Sequence, residues 1–223
     1  MINRIGCWGG TASLALSCWF QVPALSFSHG TFAALESPRS GQAHYYAGAV
    51  STSRDDWQLK KEQNRTAAEV AAEARTPDGP AKSTLSFHCS PGKGGASTIT
   101  FIVLGAVKME GFDFDEFEGP DAPAQRRSLV TITAHRPGRN LVIKTSCTGY
   151  YTVSDEAFAF EITTMANVYG KVNQLSDALI HGATGISVRV RGLKHAQKVI
   201  EADFPTSGAA AVLGEVMRGC GRR

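Results

Sequence analysis

Long hydrophobic runs are missing from most of this chain: after the first thirty positions there is no stretch of about 18 apolar residues, so no internal membrane helix is expected. Charge is sparse as well, with 19% Asp, Glu, Lys and Arg and a net charge of +3. The basic residues are scattered instead of gathered into the runs that a phosphate backbone attracts, so nucleic acid is not an expected partner. No two cysteines in the body of the chain stand two to four residues apart, and no histidine pair has finger spacing, which argues against a zinc site. A Gly-x-Ser-x-Gly turn is absent, so nothing nominates a nucleophilic serine. No cofactor-binding pattern is read either.

What is present begins with a segment of export type. Arg4 is followed by an uncharged, moderately apolar stretch from Ile5 to Val22, and small residues stand where a signal peptidase needs them. Cleavage after Ala24 and cleavage after Ser26 both fit, giving a signal over 1–26. An anchoring helix is the weaker alternative because Gly9, Gly10 and Thr11 interrupt the stretch. Acylation at Cys18 is weaker still, because Ala15 stands where a larger aliphatic residue is usual. Residues 27–56 turn to Ser, Gly, Ala, His and Tyr without a sustained period and read as a flexible lead-in. The structured domain is expected over 57–223. It is expected to work in the periplasm or outside the cell.

Five cysteines are present, two of them, Cys7 and Cys18, inside the expected signal. In an oxidising compartment two of the remaining three should pair. Cys89 closes the alternating run Leu85, Phe87, Cys89, and Cys220 ends an apolar terminal helix that would otherwise fray. The expected disulfide is therefore Cys89 with Cys220, worth about 4 to 5 kcal/mol in the chain-entropy treatment if unstrained. Cys147 follows Leu141, Ile143 and Thr145 in an alternating run and reads as a buried thiol.

Period-two alternation dominates the body of the chain. It appears in Leu85-Phe87-Cys89, in Ile99-Phe101-Val103, in Val130-Ile132-Ala134, in Ile186-Val188-Val190 and in Ile200-Ala202-Phe204. Turn chemistry lies between these runs, including Pro91-Gly92-Lys93-Gly94-Gly95 and Arg136-Pro137-Gly138. The expected fold is mainly β (α+β): an antiparallel sandwich or partly open barrel with one short internal helix and a C-terminal helix. The internal helix is expected near Val172 to His181, after a strand containing Phe158, Phe160 and Ile162. The terminal helix is expected to start at Thr206 or Ser207, to share a face of Ala210, Leu213, Val216 and Met217, and to stop at Gly219. Thr66-Ala67-Ala68-Glu69 is a capping box, and taken locally it favours helix.

Several groups could carry chemistry. Asp113, Asp115, Glu116, Glu118 and Asp121 form the densest run of charge. Oxygen-rich loops suit hard cations, yet Phe117 and Glu118 break the twelve-residue calcium pattern. With Phe112, Phe114 and Phe117 interleaved, the run reads as a loop whose rings pack while its carboxylates face water; a cation or partner site is the alternative. Ser90 to Gly95 lacks phosphate-cradle spacing and reads as a hairpin turn. His88 and His135 alternate outward on strands, and either could join a serine in an exported hydrolase assembled from loops. Asn64-Arg65-Thr66 is a glycosylation sequon if the host is eukaryotic.

Trp57 at the head of the structured segment, Leu85-Ser86-Phe87-His88-Cys89, and Phe204 followed by Ala209, Leu213 and Cys220 give a layout that resembles small exported bacterial proteins. It is similar to the TagO-like proteins associated with type VI secretion and to the invasion-associated locus B family. The resemblance implies a periplasmic or secreted β-sandwich with a C-terminal helix and no transferable catalytic residue. It also implies a strand at Glu69 to Arg75, against the local helix preference, and the strand is the reading adopted. The expected function is a non-enzymatic envelope protein that acts through a protein partner, in a secretion or host-interaction setting. An exported hydrolase and a cation- or ligand-binding module using the acidic loop are the alternatives.

Overall fold

The computed structural model describes residues 56–62, 65–90, 96–152, 156–165 and 170–218. The expected signal, nearly all of the lead-in, Asn64 of the sequon, the turn at 91–95, Gly219 and Cys220 lie outside them. Among the described residues the strands are β1 (Gln58–Glu62), β2 (Arg65–Thr76), β3 (Gly79–Ser90), β4 (Ala96–Val103), β5 (Val130–His135), β6 (Leu141–Thr145), β7 (Thr148–Tyr151), β8 (Phe158–Met165), β9 (Gly185–Arg191) and β10 (Val199–Phe204). Two helices, α1 (Lys171–Ile180) and α2 (Ala209–Arg218), accompany three short 3-10 turns. This is the β-rich α+β fold that the alternation predicts.

All ten strands belong to one antiparallel sheet, in the order β6-β5-β9-β10-β2-β3-β4-β8-β7 with β1 added to β2. β2 is the hinge of this order. β3 runs along one whole edge, from Thr66 opposite Cys89 to Thr76 opposite Gly79. The other edge is shared, with β1 facing Thr66 to Glu69 and β10 facing Ala74 and Arg75. Pairing on both edges satisfies the backbone of a segment that its own residues would coil. Helix propensity differs by less than about 1 kcal/mol per ordinary residue, so two ladders and the burial of Ala68, Val70 and Ala74 at 0 to 2% exposure override the capping box.

Of the sandwich and the partly open barrel, the sheet takes the second form, a curled half-barrel. Phe101 on β4 and Phe204 on β10 lie three strand steps apart, roughly 14 Å in a flat sheet at the usual spacing. Their ring centroids nevertheless stand 6.1 Å apart and edge-on. Only a concave face brings them together.

That concave face is the core. Register places Leu85, Phe101 and Phe160 in one row and Phe87, Ile99 and Ile162 in the next, all 6% exposed or less. α2 packs on β1, β2 and β3, α1 packs on β4, β5, β6 and β8, and the two helices touch each other. Trp57 leans on Phe87 at 5.6 Å and donates its indole N–H to Pro205 O at 2.8 Å, which fixes the chain just ahead of α2. The remaining concave surface is filled by Phe112, Phe114 and Phe117 from the acidic loop. Phe114 meets Phe158 at 4.9 Å and Phe117 meets Phe160 at 5.2 Å. Gly149 on β7 lies flat beneath the Phe158 ring, where an added Cβ would come within 2.3 Å of two ring carbons.

Candidate functional site

The acidic run divides into a buried half and an exposed half. Its phenylalanines are core residues, while Asp113, Asp115, Glu118 and Asp121 are exposed. Glu116 breaks this alternation. It is 6% exposed, its Oε1 forms an ion pair with Lys194 Nζ at 3.0 Å, and its Oε2 accepts the Leu193 N–H at 3.1 Å. Lys194 also reaches Asp113 at 3.4 Å, and its ammonium is held above its ordinary range by Glu116 first and by Asp113 next. Asp115 accepts the Tyr151 hydroxyl at 3.1 Å. Burial first, and that bond second, push the Tyr151 phenol up to about 12. Glu118 is turned into a parallel bridge with Gly149. The carboxylates therefore do not converge on one point as a set: Asp113 and Glu116 share Lys194, Asp115 takes the Tyr151 hydroxyl, and Glu118 and Asp121 face outward. Among the described residues no group of three His, Cys, Asp or Glu side chains is placed to hold a metal ion.

A second cluster lies on the convex face, where β5, β9 and β10 run side by side. His135 Nε2 is 2.7 Å from Ser187 Oγ, Ser187 donates to Asp203 Oδ1 at 2.6 Å, and Arg75 forms an ion pair with Asp203 Oδ2 at 3.0 Å. The Ser187 hydroxyl and then Arg75 hold the Asp203 carboxyl below its usual range. These are the residue types of a hydrolase triad in another order. A serine hydroxyl has one proton, and Ser187 gives it to Asp203, so the oxygen faces His135 as an acceptor. In a nucleophile the same hydroxyl donates to the imidazole. From His135 to Arg75 the row stitches four strands, β5, β9, β10 and β2, together across the outside of the sheet. His88 lies on β3, several strands away, and His181 and His195 are exposed elsewhere.

The cysteines separate cleanly. Cys89 is buried, at 2% exposure. Cys147, between β6 and β7, is free and buried, and burial pushes its thiol up to about 12. At neutral pH the nucleophilic thiolate is therefore negligible.

A cleft of about 550 Å³ opens beside the acidic loop, lined by Asp121, Pro123, Arg126, Arg127, Leu129 and Leu193. The turn Pro123–Arg126 supplies one wall. Sequence reading assigned Asp121 to the acidic run and missed the arginines, because an isolated Arg-Arg pair looks like ordinary surface charge. Their neighbours Leu129 and Leu193 come from loops 64 positions apart in the sequence.

Among the described residues no helix is long and apolar enough to cross a membrane. No family model, curated protein or solved structure matches the chain.

Proposed function

We propose that the chain is an exported envelope protein, periplasmic or secreted, stapled by a Cys89–Cys220 disulfide and acting by binding a protein partner instead of by catalysis. The export-type layout of residues 1–26 and the resemblance to TagO-like and invasion-associated locus B proteins motivate the address. The observation that carries the reading is the ion pair of Lys61 Nζ with Glu215 Oε1 at 2.9 Å. Lys61 pairs with Thr66, and Thr66 pairs with Cys89. The pair therefore ties α2 to a residue in the strand row that contains Cys89, and α2 ends three residues after Glu215, at Arg218. Two further residues reach about 7 Å, enough to bring Cys220 toward that row. A disulfide there belongs to an oxidising compartment.

The contact of His135 with Ser187 favours a second reading, an exported hydrolase. The direction of the Ser187 hydrogen bond speaks for a structural row instead. Labelling with a serine-directed fluorophosphonate separates the two, since a hydrolase is modified at Ser187 and the proposed binding protein is not.

The test of the main reading is expression of the full chain in a bacterium, followed by fractionation and intact mass. Recovery outside the cytoplasm with Leu25 or Phe27 as the first residue is the expected result. A cytoplasmic protein that retains residues 1–26 and carries only reduced thiols contradicts it.

A further inference from the structure

We propose that the cleft beside Arg126 and Arg127 is the partner-binding site and that it takes an extended peptide segment carrying a carboxylate flanked by apolar side chains. The inference rests on the reading of this chain as a partner-binding protein and names the chemistry of that partner.

Charge and shape together point to this spot: Lys82, Arg136, Arg139 and Arg189 also have no carboxylate partner among the described residues, but Arg126 and Arg127 line a cleft with apolar walls. Lys60, Lys61, Arg75, Lys108 and Lys194 each hold a carboxylate of this same chain. Arg126 and Arg127, both exposed, have no side-chain hydrogen bond or ion pair among the described residues. Arg191, two residues before Leu193, bonds its backbone N–H to Leu129 O at 3.1 Å and so ties the strand end to one of the lining residues. A guanidinium presents a planar fork of donors that matches a carboxylate two bonds at a time.

The frame is rigid. Gln125 donates to Gly119 O at 2.7 Å and to Thr148 Oγ1 at 3.1 Å, Ala124 is 1% exposed, and the Leu193 N–H is fixed by Glu116. A site held in place before binding loses little freedom on binding.

The occupant follows from the other walls. Leu129, Leu193 and Pro123 offer apolar surface for aliphatic neighbours of the anion, and the cleft is open on one side, as an entering chain needs. Asp121 also lines the cleft and can accept the backbone N–H of an extended peptide. A carboxylate-bearing peptide satisfies every wall.

Isothermal titration of the mature full-length protein tests this with an end-blocked heptapeptide that alternates leucine and glutamate. The controls are its glutamine counterpart and inorganic phosphate. Saturable binding of the glutamate peptide is expected. Replacement of glutamate by glutamine, the double substitution Arg126→Gln with Arg127→Gln, or a rise in salt should each weaken it at least tenfold, with the melting temperature of the variant unchanged. Equal binding of both peptides, indifference to the arginine substitutions, or saturable phosphate binding without peptide binding overturns the proposal. Failure of the broader reading looks different: it is seen in the location and thiol state of the protein. A partner captured outside the cytoplasm equally well by the double variant leaves that reading intact and moves the site elsewhere.

Discussion

The ring of Phe101 meets the ring of Phe204 edge-on at 6.1 Å, across two intervening strands. Both rings are at most 2% exposed, and the contact bridges the concave face over β2 and β3, the two strands between β10 and β4. Truncating Phe101 removes the ring that touches Phe160 as well as Phe204. Phe101→Ala is expected to lower stability by about 3 to 5 kcal/mol, read by chemical denaturation, and Phe101→Leu by less. A loss under 1 kcal/mol for the alanine variant would show that the concave face holds together without this contact.

Lys194 ties the acidic loop to the β9–β10 connection through a carboxylate that has little other solvation. Its removal takes the partner from Glu116 Oε1 and leaves only the Leu193 N–H, so Lys194→Met is expected to lower the melting temperature, by less than for a fully buried pair because the lysine is exposed. Restoring neutrality with Glu116→Gln in the same chain should recover part of the loss. The same occupancy predicts that millimolar calcium leaves the melting temperature of the unaltered protein unchanged, and a clear rise would reveal a cation site in the loop.

Strand identity was legible because each strand buries one face. The runs at Leu85, Ile99, Val130, Ile186 and Ile200 all lie on strands with the expected side inward, and the strand and helix on either side of Gly170 are placed as read. β2 was contested because alanine and glutamate favour helix locally, and only partners on both edges decide it. β1 and β7 left no clear pattern: β7 has four residues, one of them a glycine whose purpose is to lie under Phe158. The candidate sites were legible in part. Outward alternation of His135, Ser187 and Asp203 can be read from sequence, but their contact depends on strand order β5-β9-β10, which non-consecutive pairing hides. The partnership of Glu116 with Lys194 joins loops 78 positions apart and has no local signal.

Asp203 gives the convex face an acid-sensitive point. Its carboxyl titrates below the usual range in the folded chain, chiefly because Ser187 donates to the ionised form and then because of Arg75. A depressed folded value means that the stabilisation is present above the unfolded carboxylate pKa of about 3.9 and is lost as pH falls through the folded value. Melting temperature followed from about pH 5 to about pH 2 should therefore fall more steeply for the unaltered chain than for Asp203→Asn. Parallel curves would contradict the assignment.

The most direct test of the account is a peptide map of the mature protein, alkylated under native, non-reducing conditions and then digested. The account predicts one linked pair, the peptides of Cys89 and Cys220. Cys147 should be unmodified until the chain is unfolded, because its buried thiol is pushed up to about 12. Alkylation of native Cys89, or its linkage to any residue other than Cys220, would contradict the claim that the tail helix is locked to the curled sheet.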